Sequence, residues 1–378
     1  MTREQASQLM SDLLKLMLSH RGSDLFISAD FPPAIKIDGV MTKASSQALQ
    51  AEHTNMMARA VMTDRQLTEF ERTKECNFAI GSPGLGRFRV NAFVQLGKVG
   101  MVLRSIPLAP PSIDGLQLPP ILKDIAMNQR GLFIVVGGTG TGKSTTQAAV
   151  LDWRNENSHG HILTVEDPIE FIHPHKNCLI SHREVGLDTD SWHIAMKNAM
   201  RQAPDVIMFG ELRDRETMEL AMDYAETGHF CLATLHANSA NQALDRIINF
   251  FPESQRNHLL QDLSLNLRAI VSQRLLPRKG AKGRLAAVEV LVNSPMVASL
   301  IKKGEVAEIK EIMKKSAGSG MQTFDQALFL LYRDGHISLE DALRNADSPN
   351  DLRLEIRLRS TNVDPATLMA NTGGINIV

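Results

Sequence analysis

Eight residues, Gly137-Gly-Thr-Gly-Thr-Gly-Lys-Ser144, fit the pattern G-x-x-x-x-G-K-S/T, in which every fixed position has a mechanical reason. Glycines at 137, 138, 140 and 142 let the backbone curl until successive N–H groups converge on phosphate oxygens. Lys143 adds a compact cation for the outer phosphates, and the Ser144 hydroxyl suits Mg²⁺. Thr145 to Trp153 reads as a helix whose positive N-terminus faces the same anion. Leu132 to Val136 is an apolar strand that runs straight into the loop. Gly137, Gly138, Thr139, Gly140, Thr141, Gly142, Lys143, Ser144 and Thr145 are therefore expected to bind ATP. The rival reading, a glycine-rich turn beside a surface lysine, needs strand, loop and helix to coincide by chance.

Hydrolysing a bound triphosphate takes carboxylates as well, one near the metal's water shell and another to orient the attacking water. Parallel sheets offer such groups at the C-terminal ends of their strands. Val206-Ile-Met-Phe-Gly-Glu211 is an apolar strand followed by an acid, with Glu where Asp is usual, so Glu211 is expected to share the metal with Ser144. Ile162-Leu-Thr-Val-Glu-Asp-Pro-Ile-Glu170 sets three carboxylates within five residues. Taken alone, acids after a strand are more often helix caps or solvated loop charges; the phosphate cradle upstream favours the functional reading. His229 and His236 bracket one apolar strand and stand seven residues apart, on opposite faces of a regular strand, which argues against a shared metal.

The elements that must position these groups can be sketched from periodicity. Glu4 to His20 reads as an amphipathic helix, with Ala6, Leu9, Met10, Leu13, Leu14 and Met17 at helical spacing. Strand-like pieces follow at Asp24 to Ser28 and Ala34 to Asp38, then a helix over Glu52 to Arg72. Arg87 to Val94 alternates, with Phe88, Val90, Ala92 and Val94 on one face and Arg87, Arg89 and Asn91 on the other; Val99 to Ile106 is the return strand of a hairpin. Five prolines within residues 107–120 resist both helix and sheet. Beyond them strands at Leu132–Val136, Ile162–Glu166, Asp205–Gly210, His229–Leu235 and Ala286–Val292 alternate with helices, the pattern of a largely parallel sheet covered on both faces. The fold class is thus α/β: an N-terminal α+β domain over 1–106, a proline-rich linker over 107–120, an ATPase domain over 121–345, and a tail over 346–378 that is a candidate for disorder.

Composition narrows the partners. Forty-one basic residues face forty-two acidic ones, so no global charge draws the chain to nucleic acid, and no nucleic-acid partner is expected. Cys76, Cys178 and Cys231 lie far apart, without a CxxC pair, which points to reduced thiols in a cytoplasmic protein. No apolar run approaches the ~20 residues of a spanning helix.

At this point the residues resemble a known family. The chain is similar, from about Ser23 to about Asp341, to secretion-superfamily ATPases and among them to the type IV pilus retraction ATPases of the PilT/PilU group. The likeness rests on the cradle, on Ile162 to Glu170 as the family's Asp box, on Gly210-Glu-Leu-Arg-Asp214 as its Walker B segment, and on Glu226 to His236 as its His box. It implies that Glu170 polarises water and Glu211 stands near Mg²⁺. It implies roles for both His229 and His236, and that Arg89 and Arg104 reach the γ-phosphate from the N-terminal domain. A rigid guanidinium fork suits phosphate charge. By the same likeness a PAS-like domain precedes a RecA-like one. Six chains form a ring, working with a paralogous retraction ATPase on an inner-membrane pilus platform protein, and the chain is peripherally associated with that machine. The family's basic-and-acidic helix motif has only a partial counterpart in Met296 to Glu305, which keeps Leu300 and Ile301. Arg201-Gln-Ala-Pro-Asp205 and the tail point to the accessory branch of the group. Two other functions compete: a nucleotide-binding scaffold that modulates a paralogue, and a different translocation ATPase of the superfamily.

Overall fold

Helix α1 (Arg3–Ser19) starts from a capping box between Thr2 and Gln5 and buries Ala6, Met10, Leu13, Leu14 and Met17, the stripe its sequence spells out. The computed structural model describes residues 1–82, 84–107 and 109–359. The chain forms two units, one of Met1–Pro110 with Glu170–Pro174, the other of Pro111–Ile169 with the chain from His175 onward.

In the first unit α1 is followed by β1 (Asp24–Ile27), β2 (Ala34–Ile37), β3 (Val40–Lys43), α2 (Ala51–Val61), α3 (Asp64–Thr73), β4 (Glu75–Ser82), β5 (Gly86–Gln95) and β6 (Lys98–Ile106). The strands make one antiparallel sheet in the order β3-β2-β1-β6-β5-β4. Phe88, Val90 and Ala92 are buried, as alternation along β5 requires, and they pack with Met57, Met101 and the α1 stripe. The single helix expected over Glu52 to Arg72 is two. Thr63 accepts the Gln66 N–H while the Gln66 side chain bonds the Thr63 N–H at 2.9 Å, a capping box that starts a new helix at Asp64.

The second unit runs α4 (Ile121–Ala126), β7 (Gly131–Val136), α5 (Lys143–Asn157), β8 (Gly160–Glu166), β9 (Cys178–Glu184), α6 (Trp192–Ala199), β10 (Val206–Phe209), α7 (Arg215–Glu226), β11 (Phe230–Leu235), α8 (Ala240–Asn249), α9 (Glu253–Asn266), β12 (Leu267–Pro277), β13 (Arg284–Val292), α10 (Pro295–Lys303), α11 (Ile309–Lys315), α12 (Phe324–Arg333), α13 (Leu339–Asn345) and α14 (Pro349–Arg359). Its seven-stranded sheet has the order β13-β12-β7-β11-β10-β8-β9, parallel throughout except for the edge pair β12–β13. Every residue of β7 is buried. Leu132, Ile134 and Val136 pack in a core with α6 to α11, while Phe133 and Val135 pack on the other face with α4 and α5. That two-sided burial explains why the strand reads as an unbroken apolar run. Ile113 and Leu118, from the proline-rich stretch, are buried in the α4–α5 core. The stretch Met296 to Glu305 forms α10, which ends at Gly304 in the left-handed region at φ 76°.

The tail differs from its expectation. Pro349–Arg359 is helical, and Leu352 and Ile356, one turn apart, are buried against Phe324, Leu328 and Ile337. Fully burying such a side chain contributes roughly 1.5–3 kcal/mol, enough to hold a short helix in place. Residues 360–378 of that expected tail lie outside the described residues. Among the described residues no helix is long and apolar enough to cross a membrane.

One buried acid on this framework gives stability a pH dependence. Glu289 on β13 is 2% exposed and accepts the Ala240 N–H at 2.7 Å, at the start of α8. Burial pushes its carboxyl from the ordinary 4.5 up to about 6, with Asp347 adding to the rise and the Ala240 amide, Ser272 and Lys310 opposing it. Between pH 4.5 and 6 the folded chain therefore holds a proton that the unfolded chain has released. Stability falls as pH rises through that window, by about 2 kcal/mol from this group. Chemical denaturation at pH 3.5 and 7.5, which bracket the window, should show Glu289→Gln losing that much less than the wild type across the same interval.

Candidate active site

Four parallel strands deliver the candidate groups to one edge of the sheet. In spatial order β7, β11, β10 and β8 lie side by side, and the residues that leave their C-terminal ends are Gly137, His236, Gly210 with Glu211, and Asp167. The first leads into the glycine loop and α5. Gly142, the N-cap of α5, is left-handed at φ 87°, and a Cβ there would stand 3.0 Å from the Gln273 amide nitrogen. At Gly137 a Cβ would meet Thr141 Oγ1 at 2.4 Å; close approach disfavours a side chain at Gly137 and the left-handed backbone disfavours one at Gly142. Thr141 Oγ1 donates to the Gly138 carbonyl at 2.9 Å, and Lys143 Nζ donates to the carbonyls of Gly137 and Gly138 at 2.9 Å each. Thr139 and Gly140 are exposed at the tip, while Ser144 and Thr145 are half-buried in the first turn of α5. These residues fit a bound phosphate chain, because the curl is lined by backbone and one ammonium group.

Glu211 is anchored from both sides. Gly210 N donates to the Val165 carbonyl of β8 at 3.1 Å, Leu212 N donates to the Thr234 carbonyl of β11 at 2.8 Å, and Thr234 Oγ1 donates to the Gly210 carbonyl. The Trp192 ring lies so close that a Cβ on Gly210 would fall 2.9 Å from it, which fixes glycine before the acid. The Glu211 carboxylate then meets Arg213 Nε at 3.0 Å and His236 Nε2 at 3.4 Å. Arg246 donates to the His236 carbonyl at 2.8 Å and steadies that residue. His236 and Glu211 are thus brought together beside the strand that feeds the cradle.

His229 is not. It precedes β11, with its Nδ1 3.2 Å from both the Tyr224 carbonyl and Thr227 Oγ1, and its ring meets Tyr224 edge-on at 5.7 Å. The six residues of β11 separate it from His236, roughly 20 Å at the usual strand rise. Glu170 is exposed and follows β8 by four residues; its segment, Glu170–Pro174, packs with the first unit. In that unit Arg89 of β5 stands directly opposite Arg104 of β6. Like charges in that relation are destabilising. Arg104 Nε reaches the Asp24 carboxylate at 2.7 Å; Asp24 is nearly buried while Arg104 and Arg89 are exposed. Among the described residues no group of three or more His, Cys, Asp or Glu side chains is arranged to hold a metal. Mg²⁺ in nucleotide sites needs no such cage, since one or two protein oxygens, phosphates and waters complete its shell.

A family model described as type II/IV secretion system protein matches residues 6–344. The chain belongs to that family. The type IV pilus ATPase PilU of Pseudomonas aeruginosa is 55% identical to it over 365 residues, 97% of this chain and 95% of that protein. The type IV pilus retraction ATPase PilT of the same organism is 39% identical over 342 residues, 90% of this chain and 99% of that one. Among solved structures, the pilus retraction motor PilT with bound ADP aligns at a TM-score of 0.85 and 37% identity, over 90% of this chain and 97% of that one.

In this member of the secretion ATPase family the residue that sequence reasoning missed is Gln273 on β12. It is 2% exposed. Its amide nitrogen donates to the Thr141 carbonyl of the loop, and its amide oxygen accepts from Thr146 Oγ1 of α5 at 2.8 Å. One side chain therefore ties the loop and the helix to the strand behind them. The signal was present in the β-branched pair Ile270-Val271, but α9 runs directly into β12 with no turn residue between them. Gln273→Ala removes both bonds and should weaken nucleotide binding on the order of tenfold, about 1.4 kcal/mol, in a titration with a fluorescent ATP analogue. Unchanged affinity would mean the loop holds its shape unaided.

Proposed function

We propose that this chain is an ATP-hydrolysing motor of the type IV pilus machine, aiding retraction and twitching motility as an accessory retraction ATPase. The observation that carries the reading is the Gly137–Ser144 cradle set one strand away from the Glu211–His236 pair, in a chain 55% identical to a type IV pilus ATPase. ATP is the expected nucleotide, and the ADP held by a structural relative supports it. A hollow of about 300 Å³ beside Thr145 and Thr146, walled by Leu116, Leu275 and Arg278, offers room for the base.

The division of labour follows from the chemistry. The loop amides and Lys143 hold the phosphates and offset charge that develops on the γ-phosphate as its bond to the β-phosphate breaks. Ser144 and Glu211 would hold Mg²⁺, which supplies further positive charge there when bound. Glu170 orients the attacking water and takes its proton. Arg89 and Arg104 are assigned to the same developing charge: they stand opposed with Asp24 beside one of them, an arrangement that an anion would relieve. His236 links Glu211 to β11 and reports the state of the phosphate. His229, at the other end of the sheet, takes no part in this reading.

At finer detail we read the first unit as a PAS-like domain and the second as RecA-like. Six copies form a ring that acts with a paralogous retraction ATPase on an inner-membrane platform protein, peripherally at the membrane. Nucleic acid is not among the expected partners, given the balanced charge. Lys143→Ala should cut phosphate release by at least about 100-fold while leaving the melting curve in place. Equal release from mutant and wild type would turn the chain into a nucleotide-binding scaffold. Running the assay with and without the paralogue separates independent from stimulated turnover.

A further inference from the structure

The loop that carries Glu170 has its own support, and that support comes from a residue outside every motif described so far. Glu184 is the last residue of β9, the edge strand that pairs with β8, and stands directly opposite Glu166. Although it is an acid at a sheet edge, it is only 6% exposed. Its Oε2 accepts the N–H of Ile169 at 3.3 Å, inside the protein. Ile169 is the residue immediately before Glu170 and is itself 1% exposed. Residue 168 is proline and has no N–H, so Ile169 is the only residue between Asp167 and Glu170 with a main-chain donor.

Glu184 is in turn fixed from behind. Its N–H donates to Asp188 Oδ2 at 2.9 Å, and its carbonyl accepts the N–H groups of Leu187, Asp188 and Thr189 at 3.2, 2.8 and 3.3 Å. The tight turn over residues 185–189 thereby sets the strand end, and the strand end sets the carboxylate. Burying a carboxylate costs free energy unless it is bonded, and a bond to an ionised acceptor is roughly twice as strong as a neutral one. A buried acid that accepts the Ile169 amide therefore helps to hold that amide in position.

We propose that Glu184 is a positioning residue for Glu170: it holds the chain at Ile169 so that the Glu170 carboxylate is aimed at the attacking water, without itself touching nucleotide. This rests on the reading of Glu170 as the group that orients water. A loop that drifts by about 1 Å can lose on the order of 100-fold in rate while binding is untouched, because only the geometry of attack is degraded.

The test uses the purified full-length chain, with its paralogue present if turnover requires it, and measures kcat and KM for ATP with Mg²⁺. Glu184→Gln keeps an acceptor oxygen at the same reach and should retain kcat within about threefold. Glu184→Asp keeps the charge but withdraws it by one methylene, and Glu184→Ala removes the acceptor. Both should lower kcat by about tenfold or more, with KM and fluorescent-nucleotide affinity within about threefold of wild type. The aspartate variant keeps the test alive should the alanine variant melt early. In Glu170→Gln, adding Glu184→Asp should slow turnover no further, since the two act through one group. The proposal is overturned if Glu184→Asp turns over like wild type, if kcat and affinity fall together, or if the two changes multiply. If Glu170→Gln alone keeps wild-type kcat, the reading of Glu170 itself has failed, an outcome distinct from the others.

Discussion

The amide groups between Gly137 and Ser144 can point at one anion only while no side chain fills the curl they line. That requirement reaches well beyond the loop. A bare backbone loop is floppy, since glycine gains from folding nothing that a side chain would supply. Something outside the loop must hold it open, and the Gln273 amide does so by bonding the Thr141 carbonyl and the Thr146 hydroxyl together. Because Gln273 is itself almost fully buried, its position is set by β12, and β12 is set by its pairing with β7, the strand that feeds the loop. Cradle and clamp thus rest on neighbouring strands of one sheet, and the site inherits the rigidity of the core.

The same sheet decides which charged groups can cooperate. Residues leaving the C-terminal ends of adjacent parallel strands are separated by a strand spacing of about 5 Å, close enough for side chains to meet. Residues at opposite ends of one strand are not. Glu211 and His236 satisfy the first condition and are 3.4 Å apart. His229 and His236 belong to one sequence motif yet fall under the second. Membership in a motif and membership in a site are therefore separate matters, and topology arbitrates between them.

Much of this was legible in the residues. The cradle, the strand before it and the helix after it carry local signals that tertiary structure had no reason to override. The β5–β6 hairpin was equally plain, because alternation over Phe88, Val90 and Ala92 has a single solution at a sheet with one buried face. What escaped had identifiable causes. The break between α2 and α3 was written in Thr63 and Gln66 but lay inside a continuous helical period. Strand β9 mixes Cys178 and Ile180 with Ser181, His182 and Arg183, as an edge strand can, and so lacks an apolar run. Strand β12 was hidden by the absence of a turn after α9. Helix α14 has one apolar pair facing inward, Leu352 and Ile356, and another facing out, Leu354 and Leu358, so its period was blurred. Glu184 and Gln273 were beyond sequence reasoning in another sense. Their importance lies in what they touch 15 and 127 or more residues away.

Two buried polar groups of the second unit, one on β12 and one on β13, have an energetic logic. Gln273 and Glu289 sit on β12 and β13 in the apolar interior around the sheet. Each costs free energy to desolvate, so each is tolerable only with a partner in place. Gln273 is satisfied by the cradle and Glu289 by the first amide of α8. The next residue along, Arg274, is satisfied by the carbonyls of Asn238 and Asn345, by the Asp347 carboxylate at 2.8 Å and by the Phe324 ring at 3.9 Å. Burial raises the Asp347 carboxyl, yet the bonds from Lys310 and Arg274 hold it below the ordinary carboxylate value. Asn238 lies two residues past His236, and Asn345 and Asp347 join the last two helices. Consecutive side chains of one strand, Gln273 and Arg274, therefore bond the glycine loop and the C-terminal helices. An unmade bond at Gln273 would leave a buried polar group without compensation, and one at Arg274 a half-buried charge without its partner, so the two regions cannot rearrange independently without cost.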